Sequence, residues 1–133
     1  MNAKKETSFE RRQRQRFAAI RDGKPCIEVV INERRLALID LSLDGFGVPA
    51  NTGCPEGEFE FVMRLIDGFG DKVKGRAVAV NQAAGQTGCR FVDLDEASEK
   101  ILQEWLTVIV ICGASVRLTP ADATAIVTGP SLV

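Results

Sequence analysis

The sequence predicts a mainly β fold: a six-stranded antiparallel β-barrel followed by a C-terminal α-helix. Three observations predict it. Six short runs of β-branched or alternating apolar residues follow one another between residues 26 and 92, with Gly, Pro, Asn and Asp between them. One apolar pattern of helical spacing comes after them, at Ile101, Leu102, Trp105, Leu106 and Ile109. The chain has 133 residues, 45% hydrophobic and 26% charged, which suits a single domain of ordinary composition.

The elements read in order as follows. Residues 1–22 are polar, charged and poor in β-branched side chains, so they are expected to be weakly ordered. Cys26 to Ile31 reads as a strand, Asn32-Glu33 as a short turn, and Arg35 to Asp40 as the second strand of a hairpin. Residues 41–45 form a turn and Phe46-Gly47-Val48 a short strand. Glu58 to Leu65 alternates cleanly, with Phe59, Phe61, Met63 and Leu65 on one face. Val73 to Val80 is a further strand, with Gly75 as a candidate bulge. Ala84 to Gly88 reads as a turn into a last strand, Cys89 to Val92. Asp95 is placed to cap the helix, with Glu96 and Glu99 in its first turn and Gly113 as its stop. Thr119-Pro120 reads as a cap with proline at the first position of a short helix to about Val127. The expected organisation is a flexible basic arm at 1–22, the barrel and the start of the helix at 23–106, and the rest of the helix with an apolar tail at 107–133.

Charge is unevenly placed. The net charge is −1, yet residues 1–24 hold eight Lys and Arg against three Asp and Glu. A basic arm on an acidic body points to a local anion site rather than a broad nucleic-acid face. Cys26, Cys54, Cys89 and Cys112 show no C-x-x-C spacing and histidine is absent, so a zinc site is not expected. Reduced, structural cysteines and a cytoplasmic location are the expectation. Asp67, Asp71, Asp93 and Asp95 fall at turn or cap positions and imply no metal. No signal peptide is visible, and the apolar stretch at 105–116 is too short to span a bilayer.

Two clusters carry chemistry. The first is Arg11-Arg12-Gln13-Arg14-Gln15-Arg16 on the arm. The second is Asp40-Leu41-Ser42-Leu43-Asp44-Gly45, between two strands. Arginine can fork onto guanine O6 and N7, stack on a base and pair with phosphate. A carboxylate can accept from the N1 and N2 donors of guanine's other edge. Together they meet the needs of a phosphorylated guanine nucleotide. Taken singly, the arginine run reads better as a solvated tail or a nonspecific nucleic-acid arm, and Asp, Ser and Gly dominate ordinary turns.

The order of these parts resembles the PilZ domain, a family of bacterial cyclic di-GMP receptors. Arg12 to Arg16 matches its R-x-x-x-R pattern, and Asp40 to Gly45 its D/N-x-S-x-x-G pattern. Gly88-Cys89-Arg90-Phe91-Val92-Asp93-Leu94 resembles the family's last strand leading into its helix. The likeness covers roughly residues 9–106. It implies that Arg12 and Arg16 bind guanine edges and phosphates, that Asp40 takes the guanine donors, that Ser42 bonds a phosphate or base edge, and that Gly45 allows close backbone approach. Arg11, just before the motif, favours two ligand molecules per protomer.

The implied function is a non-catalytic receptor for the second messenger cyclic di-GMP, in which the arm orders over the ligand. No cofactor, no metal and no direct DNA contact are implied. A downstream protein partner is expected. Residues 108–116 are the best candidate for self-association, giving a homodimer through the C-terminal helix and tail. Two alternatives stand beside this reading: a small barrel that binds single-stranded nucleic acid, and a barrel that binds a protein partner without nucleotide. The first wants exposed aromatics among basic residues, whereas aromatics are 6% here and tyrosine is absent.

Overall fold

The computed structural model describes residues 14–50, 53–66, 70–113 and 117–130. Among the described residues ten strands precede two helices. The strands are β1 (Phe17–Ala18), β2 (Ile20–Arg21), β3 (Lys24–Pro25), β4 (Ile27–Ile31), β5 (Arg34–Ala37), β6 (Asp40–Leu41), β7 (Gly45–Pro49), β8 (Glu58–Leu65), β9 (Lys72–Ala83) and β10 (Gln86–Leu94). The helices are α1 (Glu96–Gly113) and α2 (Pro120–Thr128).

Eight strands form one antiparallel sheet in the order β1-β6-β7-β10-β9-β8-β4-β5, and β2 and β3 form a separate pair. The expected six-stranded antiparallel barrel with one C-terminal helix is therefore corrected: the described residues form a many-stranded sheet that is not a closed barrel, followed by two helices. The reason lies in the path of residues 34–41. Arg35 to Asp40 is expected as one strand with Leu41 opening a turn, but the segment divides into β5 and β6. The first pairs with β4 at one edge, and the second pairs with β7 and β1 near the other. Only Leu38 and Ile39 separate them, so the sheet curls enough to bring its ends together. What joins those ends is a link of covalent chain with two backbone bonds, Leu38 N–H to the Ile27 carbonyl and Ile39 N–H to the Gly47 carbonyl.

Local chemistry explains most of the hairpins. Asp22-Gly23, Asn32-Glu33 and Ala84-Gly85 each carry two successive positive φ angles. That is the signature of the tight turn whose twist matches the strands it joins. The Ala84-Gly85 turn is shorter than the sequence led us to expect. The polar residues Asn81, Gln82 and Gln86 continue the ladder instead of leaving it.

The inner face follows the two-residue period. Ile27, Val29 and Ile31 of β4, Phe59, Phe61 and Met63 of β8, and Val73 and Ala77 of β9 are all buried. Phe46, Phe61 and Phe91 meet with ring centroids 5.4–5.7 Å apart, so these rings serve the core. α1 closes one side with Leu102, Trp105, Leu106 and Val110, and α2 packs on α1 through Ala123 and Val127. The helix expectations hold. Asp95 Oδ1 accepts from the Ser98 amide at 2.7 Å at the head of α1. Thr119 and Asp122 form a reciprocal capping box at the head of α2. Among the described residues no helix is long and apolar enough to cross a membrane.

Two register shifts interrupt the β9–β10 ladder. Between Gly88 and Cys89 the partners jump from Asn81 to Ala79, leaving Val80 extra on β9. Between Phe91 and Asp93 they advance by one, leaving Val92 extra on β10. The predicted irregularity near Gly75 is thus present, but the bulged residue is across the ladder. Gly75 itself gives room for the Asp93 carbonyl, with which a Cβ would collide.

Candidate functional site

Ladder register builds the site. Ala18, Asp40, Gly47, Gly88 and Asn81 lie directly opposite one another across β1, β6, β7, β10 and β9. Leu41 and Phe46 face the core, so alternation turns Asp40 and Gly47 to the other face. Arg16, two residues before Ala18, shares that face and reaches along it.

The two motifs meet here. Arg16 Nη1 lies 3.1 Å from Asp40 Oδ1, with 26% and 19% of the two side chains exposed. The other carboxylate oxygen, Oδ2, accepts from Gln86 Nε2 at 3.2 Å. Asp40 is therefore gripped from two sides by charged and neutral donors. The heads converge because two glycines remove the side chains beneath them. A Cβ on Gly47 would stand 2.5 Å from Gln86 Nε2 and 2.7 Å from Asp40 Oδ1. One on Gly88 would stand 2.7 Å from Asn81 Oδ1 and 3.7 Å from Arg16 Nη2.

Ser42 and Gly45 sit in the turn between β6 and β7. Ser42 is 1% exposed, and its Oγ accepts from the amides of Asp44 at 3.0 Å and Gly45 at 3.2 Å. Its own amide donates to the Gly45 carbonyl at 2.9 Å. The hydroxyl thus organises the turn. Gly45 does not need a left-handed backbone. A Cβ there would collide with the Cys89 carbonyl of β10, so glycine is what lets the two strands close. The Asp44 carbonyl accepts from the Phe91 amide at 2.8 Å and pins the turn to β10.

Cys89 lies beneath this junction, fully buried. Burial pushes its thiol up to about 12, the neighbouring Cys54 pushes the same way, and the Arg16 charge opposes them.

Of the sequence-predicted residues, Arg16 and Asp40 are in direct contact, and Ser42 and Gly45 shape the adjoining turn. Arg11 and Arg12 lie outside the described residues. Two residues of the site escaped sequence reasoning, Gln86 and Asn81, and Arg14 makes a contact away from it. Gln86 and Asn81 are brought in by ladder register alone, which no local spacing encodes. Arg14 bridges to Pro130, just beyond α2, and its Nε is buried with no hydrogen-bond partner among the described residues. The stretch that carries Arg14 and Arg16 is thereby tied to the residues just beyond α2. The position of Arg14 between Arg12 and Arg16, on the same alternation, was the available signal.

A solved structure, that of the uncharacterized Legionella protein Lpg0364, is similar with a TM-score of 0.50 at 10% identity, covering 66% of this chain and 86% of that one. At that identity the likeness speaks for the fold alone. No curated protein matches the chain. The family model described as PilZ domain matches residues 10–107, a span that takes in both motifs and stops before α2. The chain belongs to the PilZ domain family.

Proposed function

We propose that this protein is a receptor that binds cyclic di-GMP through its arginine segment and the Asp40–Gly45 turn, and that ordering of the arm over the ligand is its output. Membership in the PilZ family implies a non-catalytic cyclic di-GMP-binding domain. The observation that carries the residue-level reading is the meeting of Arg16 and Asp40 over the glycine pair Gly47 and Gly88.

The chemistry is complementary to the ligand. Asp40 presents a carboxylate to the guanine N1 and N2 donors, while Arg16 presents a planar fork to O6, N7 or a phosphate oxygen. Without ligand the two neutralise one another. A nucleotide offers each a better-matched partner at the same place, so the existing ion pair keeps both heads in position. Arg11 and Arg12 would add their guanidinium groups from the arm, and four phosphate charges of two stacked dinucleotides would suit three arginines. Ser42 and Gly45 contribute by fixing the turn that aims Asp40. Arg14, bridged to Pro130, gives arm ordering a route to the C-terminal helices.

Isothermal titration with cyclic di-GMP, run beside GMP, tests this. Saturable heat from the dinucleotide that is lost in Arg16→Ala and in Asp40→Ala is the expected result, and the stoichiometry separates one ligand from two. No heat at ~100 µM ligand, a concentration that already admits weak binding, would sink the reading.

A further inference from the structure

The bulge at Val80 does something at the site. β9 places Val73, Ala77 and Ala79 against the core side, with Ala79 opposite Cys89. Regular alternation would send Asn81 the same way. The extra residue Val80 instead sets Asn81 opposite Gly88, and the Asn81 carboxamide comes to rest over that glycine. Bulges commonly re-aim a side chain in this manner beside functional sites. The Val80 side chain is left 48% exposed, where a valine gains little from packing.

Asn81 and Asp40 therefore face one another across two side-chain-free positions. Gly47 and Gly88 are directly paired, and Cβ positions so paired lie about 5 Å apart. The Asp40 and Asn81 heads each touch one of them. The surface between the two heads carries no side chain, so a planar base can lie flat on the peptide there with one edge to each head.

We propose that Asn81 is a ligand-contacting residue and Gln86 a positioning residue of the cyclic di-GMP seat, a proposal that rests on the receptor reading above. The base lies over Gly88. Asp40 accepts from its N1 and N2 donors, and the Asn81 Nδ2 donates to O6 or N7 on the adjoining edge. Gln86 touches no ligand. Its Nε2 holds Asp40 Oδ2, so that the carboxylate keeps its guanine-reading orientation when Arg16 turns to the nucleotide.

The test is titration of the full chain with cyclic di-GMP and cyclic di-AMP, using the parent protein, Asp40→Ala, Asn81→Ala, Asn81→Asp and Gln86→Leu. Asn81 is exposed and its Asp variant is isosteric, so the fold holds. Asn81→Ala is expected to weaken cyclic di-GMP about tenfold, in line with a lost hydrogen bond in a ligand site. Asn81→Asp, which exchanges a donor for a charge, is expected to weaken it further. Gln86→Leu is expected to narrow the preference for the guanine ligand over the adenine one. In the parent, the Asn81 side-chain amide resonances, assigned by their loss in Asn81→Ala, should shift on titration. If the parent binds and Asp40→Ala does not, while both Asn81 variants bind within twofold of the parent, the role of Asn81 is overturned and the receptor reading stands. An unchanged guanine preference in Gln86→Leu overturns the role of Gln86. A parent that binds neither dinucleotide overturns this proposal and the receptor reading together.

Discussion

Arg16 and Asp40, 24 residues apart in the chain, are joined by a 3.1 Å ion pair on the face of the sheet opposite the core. Neither residue belongs to a long strand. β1 and β6, which bring them together, have two residues each. What holds them is register: Ala18 opposite Asp40, Phe17 opposite Leu41, and the whole ladder anchored through β7 to β10.

The pair is partly exposed, so its worth to stability is small. A double-mutant cycle of Arg16→Ala and Asp40→Ala by urea denaturation is expected to give a coupling of about 1 kcal/mol or less. The same two variants are expected to lose cyclic di-GMP heat. A coupling several times larger would mean that the pair is structural and that binding losses report unfolding.

Gly45 and Gly47, two residues apart, make opposite predictions. In Gly45→Ala the new methyl meets backbone, the Cys89 carbonyl, which cannot move without separating β7 from β10. A loss of roughly 2–3 kcal/mol is expected, in the range for overpacking, read as a lower thermal midpoint. In Gly47→Ala the methyl meets only the ends of the Gln86 and Asp40 side chains. Those can swing aside, so the fold should persist while ligand affinity drops. Equal midpoints for the two variants would contradict this division.

These elements show where sequence is informative. β8 alternates over eight residues, and its bounds coincide with the expected Glu58–Leu65. The caps at Asp95 and Thr119 are local hydrogen-bonding patterns and were legible for that reason. Two-residue strands such as β1 and β6 carry no period, so their pairing could not be read. Nor could the division of residues 34–41 into β5 and β6, on which the open sheet rather than a closed barrel depends.

The site was half legible for the same reason. Arg16 and Asp40 stand in motifs with fixed spacing. Gln86 and Asn81 reach the site through a hairpin whose polar residues look like loop, and through a bulge set by long-range pairing. Gly45 was legible as a required glycine. Its cause, the Cys89 carbonyl 44 residues away, was not.

Asp95 gives a prediction in acid. The Ser98 amide and hydroxyl both donate to its carboxylate and hold the group below its ordinary 3.8. A carboxyl lowered in the folded state stabilises above its unfolded value, and that contribution is lost as pH falls through the lowered one. Asn caps a helix about as well as Asp without titrating. The thermal midpoint of Asp95→Asn should therefore fall less steeply than that of the parent between pH 5 and pH 2, in roughly the window where such carboxylates titrate. Parallel curves for the two proteins would remove Asp95 from the acid response.

Cys89 gives the alkaline counterpart. Its thiol is raised from 9.0 to about 12, foremost by burial, then by Cys54, against the lowering effect of Arg16. The folded state thus holds the neutral thiol. The stabilisation is complete below pH 9, the unfolded value, and is lost as pH rises from there toward 12. Thiolate, not thiol, is the nucleophile. At pH 8 iodoacetamide should therefore modify the exposed Cys112 and spare Cys89 until denaturant is added. Peptide mass spectrometry of the native protein reads both sites at once. Modification of Cys89 at the rate of Cys112 in native buffer would show that β10 opens readily at the floor of the site, and the tight closure of β7 on β10 at Gly45 would have to be abandoned.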